Sequence, residues 1–306
     1  MAQHLIHVGY PKAGSTFLQA WFERHPELRY KHGGLGGFQN VYEVARPSDA
    51  AYKYYVTSFE GLSTPHESAG DVRLDFGGAE PERPERVRER QAGVCAVLKT
   101  LYPSSCVLVI TRGFKGMIFS GYSQYVRMGG RLHLEGMCRK LTAAAQDDAH
   151  YYYDFDYLLR LYGEAFGEEN LIVLPYELLR DDQERFLTVL EERLGLGHAE
   201  VRLGRVNPSL SPEELYWYPL ISRAVSAAAS RLGPARFRRV YRWYVGQTLD
   251  NRLRLLVKLL GRLRPGRKIT EADLPADVLR HFEGMAARLK DDPLYAPYAA
   301  EYLWDS

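Results

Sequence analysis

The chain has 306 residues, 46% of them hydrophobic and 25% charged, a balance typical of a globular protein able to bury a sizeable core. Its 40 basic and 38 acidic residues leave a formal charge of +2, so no global field argues for nucleic acid, and any anion site has to be built locally. Cys95, Cys106 and Cys138 lie far apart without metal-ligand spacing, which reads as free thiols in a reducing compartment and speaks against zinc or a disulfide framework.

No signal-like segment precedes the first apolar run, so a cytoplasmic enzyme is the expected setting. That run opens the stretch HLIHVGYPKAGSTFLQAWFER, residues 4–24. Leu5, Ile6 and Val8 predict a short buried strand; Gly9, Pro11 and Gly14 predict a turn; Phe17, Leu18, Trp21 and Phe22 predict a helix starting near Ser15. A glycine turn feeding a helix N-terminus is an anion site, because unpaired N–H groups and the helix dipole face it together. Against the P-loop pattern GxxxxGK[ST], Gly9, Gly14 and Thr16 fit, but Ser15 stands where the lysine belongs and Lys12 lies inside the turn instead. The loop suits a phosphate without signalling the Mg²⁺ site of an ATP-using enzyme.

PKAGSTFLQ, residues 11–19, resembles the loop of sulfotransferases that use 3′-phosphoadenylyl sulfate (PAPS). The resemblance implies that Pro11, Lys12, Ala13, Gly14, Ser15 and Thr16 hold the 5′-phosphosulfate. It also implies a P-loop-like α/β fold, in three layers with a parallel sheet between helices.

Further along, the glycines within residues 30–50 read as a connecting loop, with a substrate-facing lid as the second reading. GGLGGF there does not follow a strand and is no dinucleotide fingerprint. Residues 52–59, YKYYVTSF, have strand composition and deliver Glu60 to a carboxyl end, where ligands bind in open α/β sheets. Residues 85–102 predict a helix with Val94, Val97, Leu98 and Leu101 inward.

A buried parallel strand is predicted at 106–112, ending in Arg112, with a helix after it that carries Ser120 eight positions on. An arginine fork and a serine hydroxyl so placed can converge on one phosphate, the alternative being a surface ion pair for Arg112 and a plain helix position for Ser120. TRGFKGMIFSGY, residues 111–122, resembles the second sulfotransferase signature, whose Arg and Ser bind the 3′-phosphate of the nucleotide. The family's Arg-Asp-Pro opening is Arg-Gly-Phe here. FGEENLIVLPYELLRDD, residues 166–182, adds a strand at 171–175 and resembles the family stretch in which the residue matching Tyr176 lies near the adenine and the acid matching Glu177 is structural. A helix over 182–194 stops at Gly195.

From residue 205 the character changes. Ser211 is a plausible helix N-cap, and 231–268 is strongly basic, reading as an amphipathic helix with Leu253, Leu256, Val257, Leu260 and Leu263 on one face. Such a helix is a solvated face of a helical cap or, alternatively, a peripheral contact with anionic membrane. The expected organisation is an α/β core over 1–204 and a mostly helical extension over 205–306, packed together as one structural domain.

The resemblance implies metal-independent transfer of a sulfuryl group from PAPS to a hydroxyl or amine, leaving the 3′,5′-bisphosphate PAP. The acceptor would be a small molecule or a glycan or lipid-linked group, with no nucleic acid partner. Lys12 is the expected catalytic cation, and either Glu60 or His66 the base. A P-loop kinase and a non-catalytic nucleotide- or glycan-binding relative are the competing readings.

Overall fold

The computed structural model describes residues 3–31, 52–65, 84–143, 149–201, 210–263 and 266–304. Five strands, β1 Gln3–His7, β2 Leu28–Arg29, β3 Tyr54–Ser58, β4 Ser105–Thr111 and β5 Leu171–Pro175, form one all-parallel sheet in the order β2-β3-β1-β4-β5. Leu5, Ile6 and Val107 to Ile110 are fully buried, as apolar strands covered on both faces must be. In register, Ile6 of β1 lies between Thr57 of β3 and Val107 of β4. The chain leaves β1 toward β3 on one side and later returns to β4 on the other. This reversal opens a crevice at the carboxyl end of β1, where the glycine loop begins. Strand β2, two residues long, was too short to leave a periodic signal.

The connecting helices are α1 Ser15–Arg24, α2 Pro84–Leu101, α3 Phe114–Arg127, α4 Leu134–Ala143, α5 Phe155–Phe166, α6 Tyr176–Asp181 and α7 Gln183–Leu194. The expected architecture, a parallel sheet flanked by helices with a mostly helical C-terminal part, is the one the chain adopts. Asp182 caps α7 by accepting from the Arg185 N–H, and Gly195 ends it in the left-handed region at φ 59°. In α2 the expected inner face is corrected. Val87, Gln91, Cys95 and Leu98 form the buried stripe, while Val97 and Leu101 point to solvent. Gln91 turns inward because its amide donates to the Ser63 and Tyr152 carbonyls, so a polar residue occupies the core line.

After residue 210 come α8 Pro212–Ser230, α9 Pro234–Leu249, α10 Arg254–Leu263 and the short α11 Ala276–Arg280. Ser211 caps α8 in a reciprocal box with Glu214. The single basic helix expected over 231–268 is two helices, α9 and α10, because Asn251 takes a left-handed φ of 58° between them. Both pack against α8, which packs on α3. One hydrophobic cluster runs from β1 and β4 through Leu215, Tyr218 and Val257 to Tyr295 and Tyr302. The Tyr295 and Tyr302 hydroxyls both meet Thr111 Oγ1, at 2.8 and 2.9 Å, which pins the tail to the carboxyl end of β4.

Candidate functional site

The loop after β1 is shaped by two left-handed residues, Lys12 at φ 67° and Gly14 at φ 83°. A Cβ on Gly14 would stand 2.6 Å from Leu179 Cδ2 and 3.3 Å from the Tyr176 ring, so only glycine lets the loop lie this close to α6. The Ala13 N–H returns to the Tyr10 carbonyl, and no side chain caps α1. Among the described residues nothing accepts from the N–H groups of Gly14, Ser15 and Thr16, so three backbone donors converge at the positive end of a ten-residue helix. Pro11 is half-buried, Ala13 is buried and Thr16 is exposed. Ser15 is buried, its hydroxyl turned back toward the Tyr10 carbonyl at 3.5 Å, so it offers a ligand its backbone rather than its side chain.

Lys12 extends its ammonium to Gln124 Oε1 at 2.9 Å. Burial lowers its pKa, Glu60 opposes that shift, and Arg127 and Arg112 reinforce it. One lysine, one carboxylate and two arginines therefore share one field. Arg112 leaves β4 and donates through Nη1 to the Lys12 carbonyl at 2.6 Å. Its guanidinium stands 4.5 Å above the centre of the Tyr176 ring, and its buried Nε has no partner among the described residues. The same group lies over Gly116, where an added Cβ would be 3.3 Å from Nε. Behind it, Glu177 is fully buried, accepting from the Gly113 N–H at 3.0 Å and the Tyr302 hydroxyl at 3.1 Å. Burial raises its pKa to about 7, against the pull of Gly113. This carboxyl holds the turn that aims Arg112.

Helix α3 supplies the side of the site facing the loop. Gly116, Ser120 and Gln124 recur every four residues and Arg127 follows three later, so all share one face. Ser120 sits one turn from Gly116 beneath Arg112 and one turn from Gln124 beside Lys12. Gln124 and Arg127 were not foreseen; the i+4 and i+7 positions after Ser120 on one helix face were the signal for them.

Glu60 opens a short 3-10 turn, Glu60–Leu62, two positions beyond the end of β3 with Phe59 between. Ser63 Oγ is placed to donate to the Gly9 carbonyl at 2.8 Å and the Glu60 carbonyl at 3.0 Å, which fastens this turn to the glycine loop. Glu60 is exposed and acts electrostatically on both Lys12 and Tyr153, whose pKa is pushed up to about 12, chiefly by burial. His66 and the glycine-rich stretch from Gly33 to Gly37 lie outside the described residues. His7 was overlooked as a support: it is buried under the loop, held to Ser58 Oγ at 2.7 Å, and burial takes its pKa down to about 3. Among the described residues no group of three or more His, Cys, Asp or Glu side chains could hold a metal, and no helix is long and apolar enough to cross a membrane.

No family model matches this chain, and no curated protein matches it. Among solved structures it is similar to the crystal structure of a sulfotransferase from Alicyclobacillus acidocaldarius, at 14% identity and a TM-score of 0.45, over 79% of this chain and 96% of that one. A likeness so distant decides neither activity nor ligand, and the functional reading rests on the site itself.

Proposed function

We propose that the chain is a sulfotransferase that uses PAPS as donor and delivers the sulfuryl group to a hydroxyl or amine acceptor. The observation that carries this reading is the meeting of two sets of hydrogen-bond donors from separate βα units, each of which this reading takes as a phosphate grip. The free N–H groups of Gly14 to Thr16 are tied to Arg112 through the Lys12 carbonyl, and Tyr176 packs against both Gly14 and Arg112. A nucleotide phosphorylated at two positions matches two grips, and the unpartnered Nε of Arg112 and the glycine cradle fit such a ligand.

In this reading the backbone of Gly14, Ser15 and Thr16, flanked by Pro11 and Ala13, holds the 5′-phosphate. Arg112 and Ser120 hold the 3′-phosphate, and Tyr176 packs beside the base. The donor, when bound, supplies an activated sulfuryl group whose sulfur–oxygen bond to phosphate breaks as the bond to the acceptor oxygen or nitrogen forms. Lys12 stabilises charge gathering on the departing phosphate oxygen, steered by Gln124. Glu60, within electrostatic reach of Lys12, takes the acceptor's proton. Positioning and charge stabilisation account for the rate enhancement, as they do in phosphoryl transfer.

Calorimetry tests the donor site. PAP should bind far more tightly than 5′-AMP, and Arg112→Ala should remove about 1.5–3 kcal/mol of that preference, the worth of a charge-assisted hydrogen bond. Equal affinity for the two nucleotides, or a preference for ATP with Mg²⁺, would overturn the reading in favour of a monophosphate grip or a kinase.

A further inference from the structure

The helices α9 and α10 turn outward what a helical cap would bury. On α10, Leu255, Leu259 and Leu263 lie on one line along the helix, with Leu256 beside them; Leu255 is 79% and Leu263 76% exposed. The inward contact is left to Val257, half-buried Leu253 and Leu260. Lys258 and Arg262, also exposed, stand three positions beyond Leu255 and Leu259 and so border the leucine line on one side. On α9 the buried line is Tyr241, Tyr244 and Thr248, and the opposite face carries Trp243, 64% exposed, among Arg236, Arg239 and Arg242, with Arg238 alongside. None of these six cations makes an ion pair among the described residues, and neither helix contains an acidic residue.

We infer that α9 and α10 form a docking surface for an anionic lipid bilayer. Three observations favour that occupant. First, exposed leucines have no use against a sugar-phosphate backbone, whereas a leucine line bordered by Lys and Arg is the pattern of a helix lying in the headgroup boundary. Second, a tryptophan set among arginines suits the same boundary, where one end of the ring is apolar and the other wet. Third, a second copy seated on this face with two-fold symmetry would set one basic face against another with no acidic residue on either helix to pair with it, whereas anionic lipid attracts each cation. The surface is joined to the site: Thr248 Oγ1 donates to the carbonyl of Arg127, at the end of α3 nearest Lys12, so a docked chain carries the site with it. The inference stands on the surface alone and does not depend on the transfer reading.

The test is sedimentation of the full chain with vesicles of phosphatidylserine in phosphatidylcholine and with phosphatidylcholine alone. The chain should bind the anionic vesicles in clear excess. Replacing Leu255, Leu259 and Leu263 together by serine, and separately Arg238, Arg239 and Arg242 by glutamine, should each weaken binding roughly tenfold or more. An unchanged thermal unfolding midpoint shows that the variants are folded. Intrinsic fluorescence is a second readout: of the four tryptophans only Trp243 is largely exposed, so a blue shift on anionic vesicles should vanish in Trp243→Phe. Equal binding to both vesicle types, variants that bind like the parent, or a leucine variant that instead turns a dimer into a monomer would each overturn the inference.

Discussion

Glu60 and Lys12 act on each other electrostatically, and the roles proposed for them separate cleanly in experiment. Glu60 is held by the Ser63 hydroxyl, which also holds Gly9, so its backbone position follows that of the glycine loop. Glu60→Gln keeps the shape and the hydrogen-bonding reach but cannot take a proton. PAP affinity by calorimetry should therefore stay within about twofold, while turnover with PAPS and an accepted substrate should fall by roughly 10²–10⁴. Normal turnover in this variant, with loss in His66→Ala, would assign the base to His66 and leave Glu60 as a charge balancing Lys12.

At the scale of elements, the site is a loop and three helix ends pressed together. Gly14 is the tightest contact, at once left-handed and in touch with α6. Gly14→Ala adds a Cβ in a conformation that costs an L-residue about 1–2 kcal/mol and drives it into Leu179 and Tyr176. Urea unfolding should show a loss of at least that size, and PAP affinity should fall with it because Tyr176 must move. Gly93, by contrast, lies in α2 with open space around its Cα, so Gly93→Ala should leave stability unchanged or raise it by a few tenths of a kcal/mol up to about 1 kcal/mol.

Over the whole molecule the tail closes the structure onto the site. Tyr302 and Glu177 join the last residues to the turn at Gly113, and Glu301 pairs with Arg180 at 3.0 Å. Burial holds the Glu177 carboxyl at about 7, above the 4.5 of an ordinary glutamate. The folded chain therefore keeps this proton more tightly than the unfolded one. Its contribution to stability is full below pH 4.5 and is lost as pH rises to about 7, with a slope reaching about 1.4 kcal/mol per pH unit for one proton. Glu177→Gln should flatten stability across that window in urea titrations at successive pH values. An unchanged slope would show that Glu177 is ionised in the fold.

Much of this was legible locally. The loop from Gly9 to Gly14, the apolar strands ending at Thr111 and Pro175, the Ser211 cap and the Gly195 stop each depend on a few neighbouring residues, because turn chemistry and periodicity act over one or two turns of chain. Where α2 faces was misread because Gln91 is polar yet buried, and the partner that makes this favourable, the Ser63 carbonyl, is far away in sequence. The same holds for the site. Arg112 meets the Lys12 carbonyl across a hundred residues and Gln124 meets Lys12 across 112. Which strand ends become neighbours is decided by the crossover on either side of β1, and no local pattern records it. The basic C-terminal stretch shows the same division. Its charge and leucines could be read from the sequence, but which way the leucines turn depends on both helices packing against α8, where Val257 and Tyr244 are the buried residues.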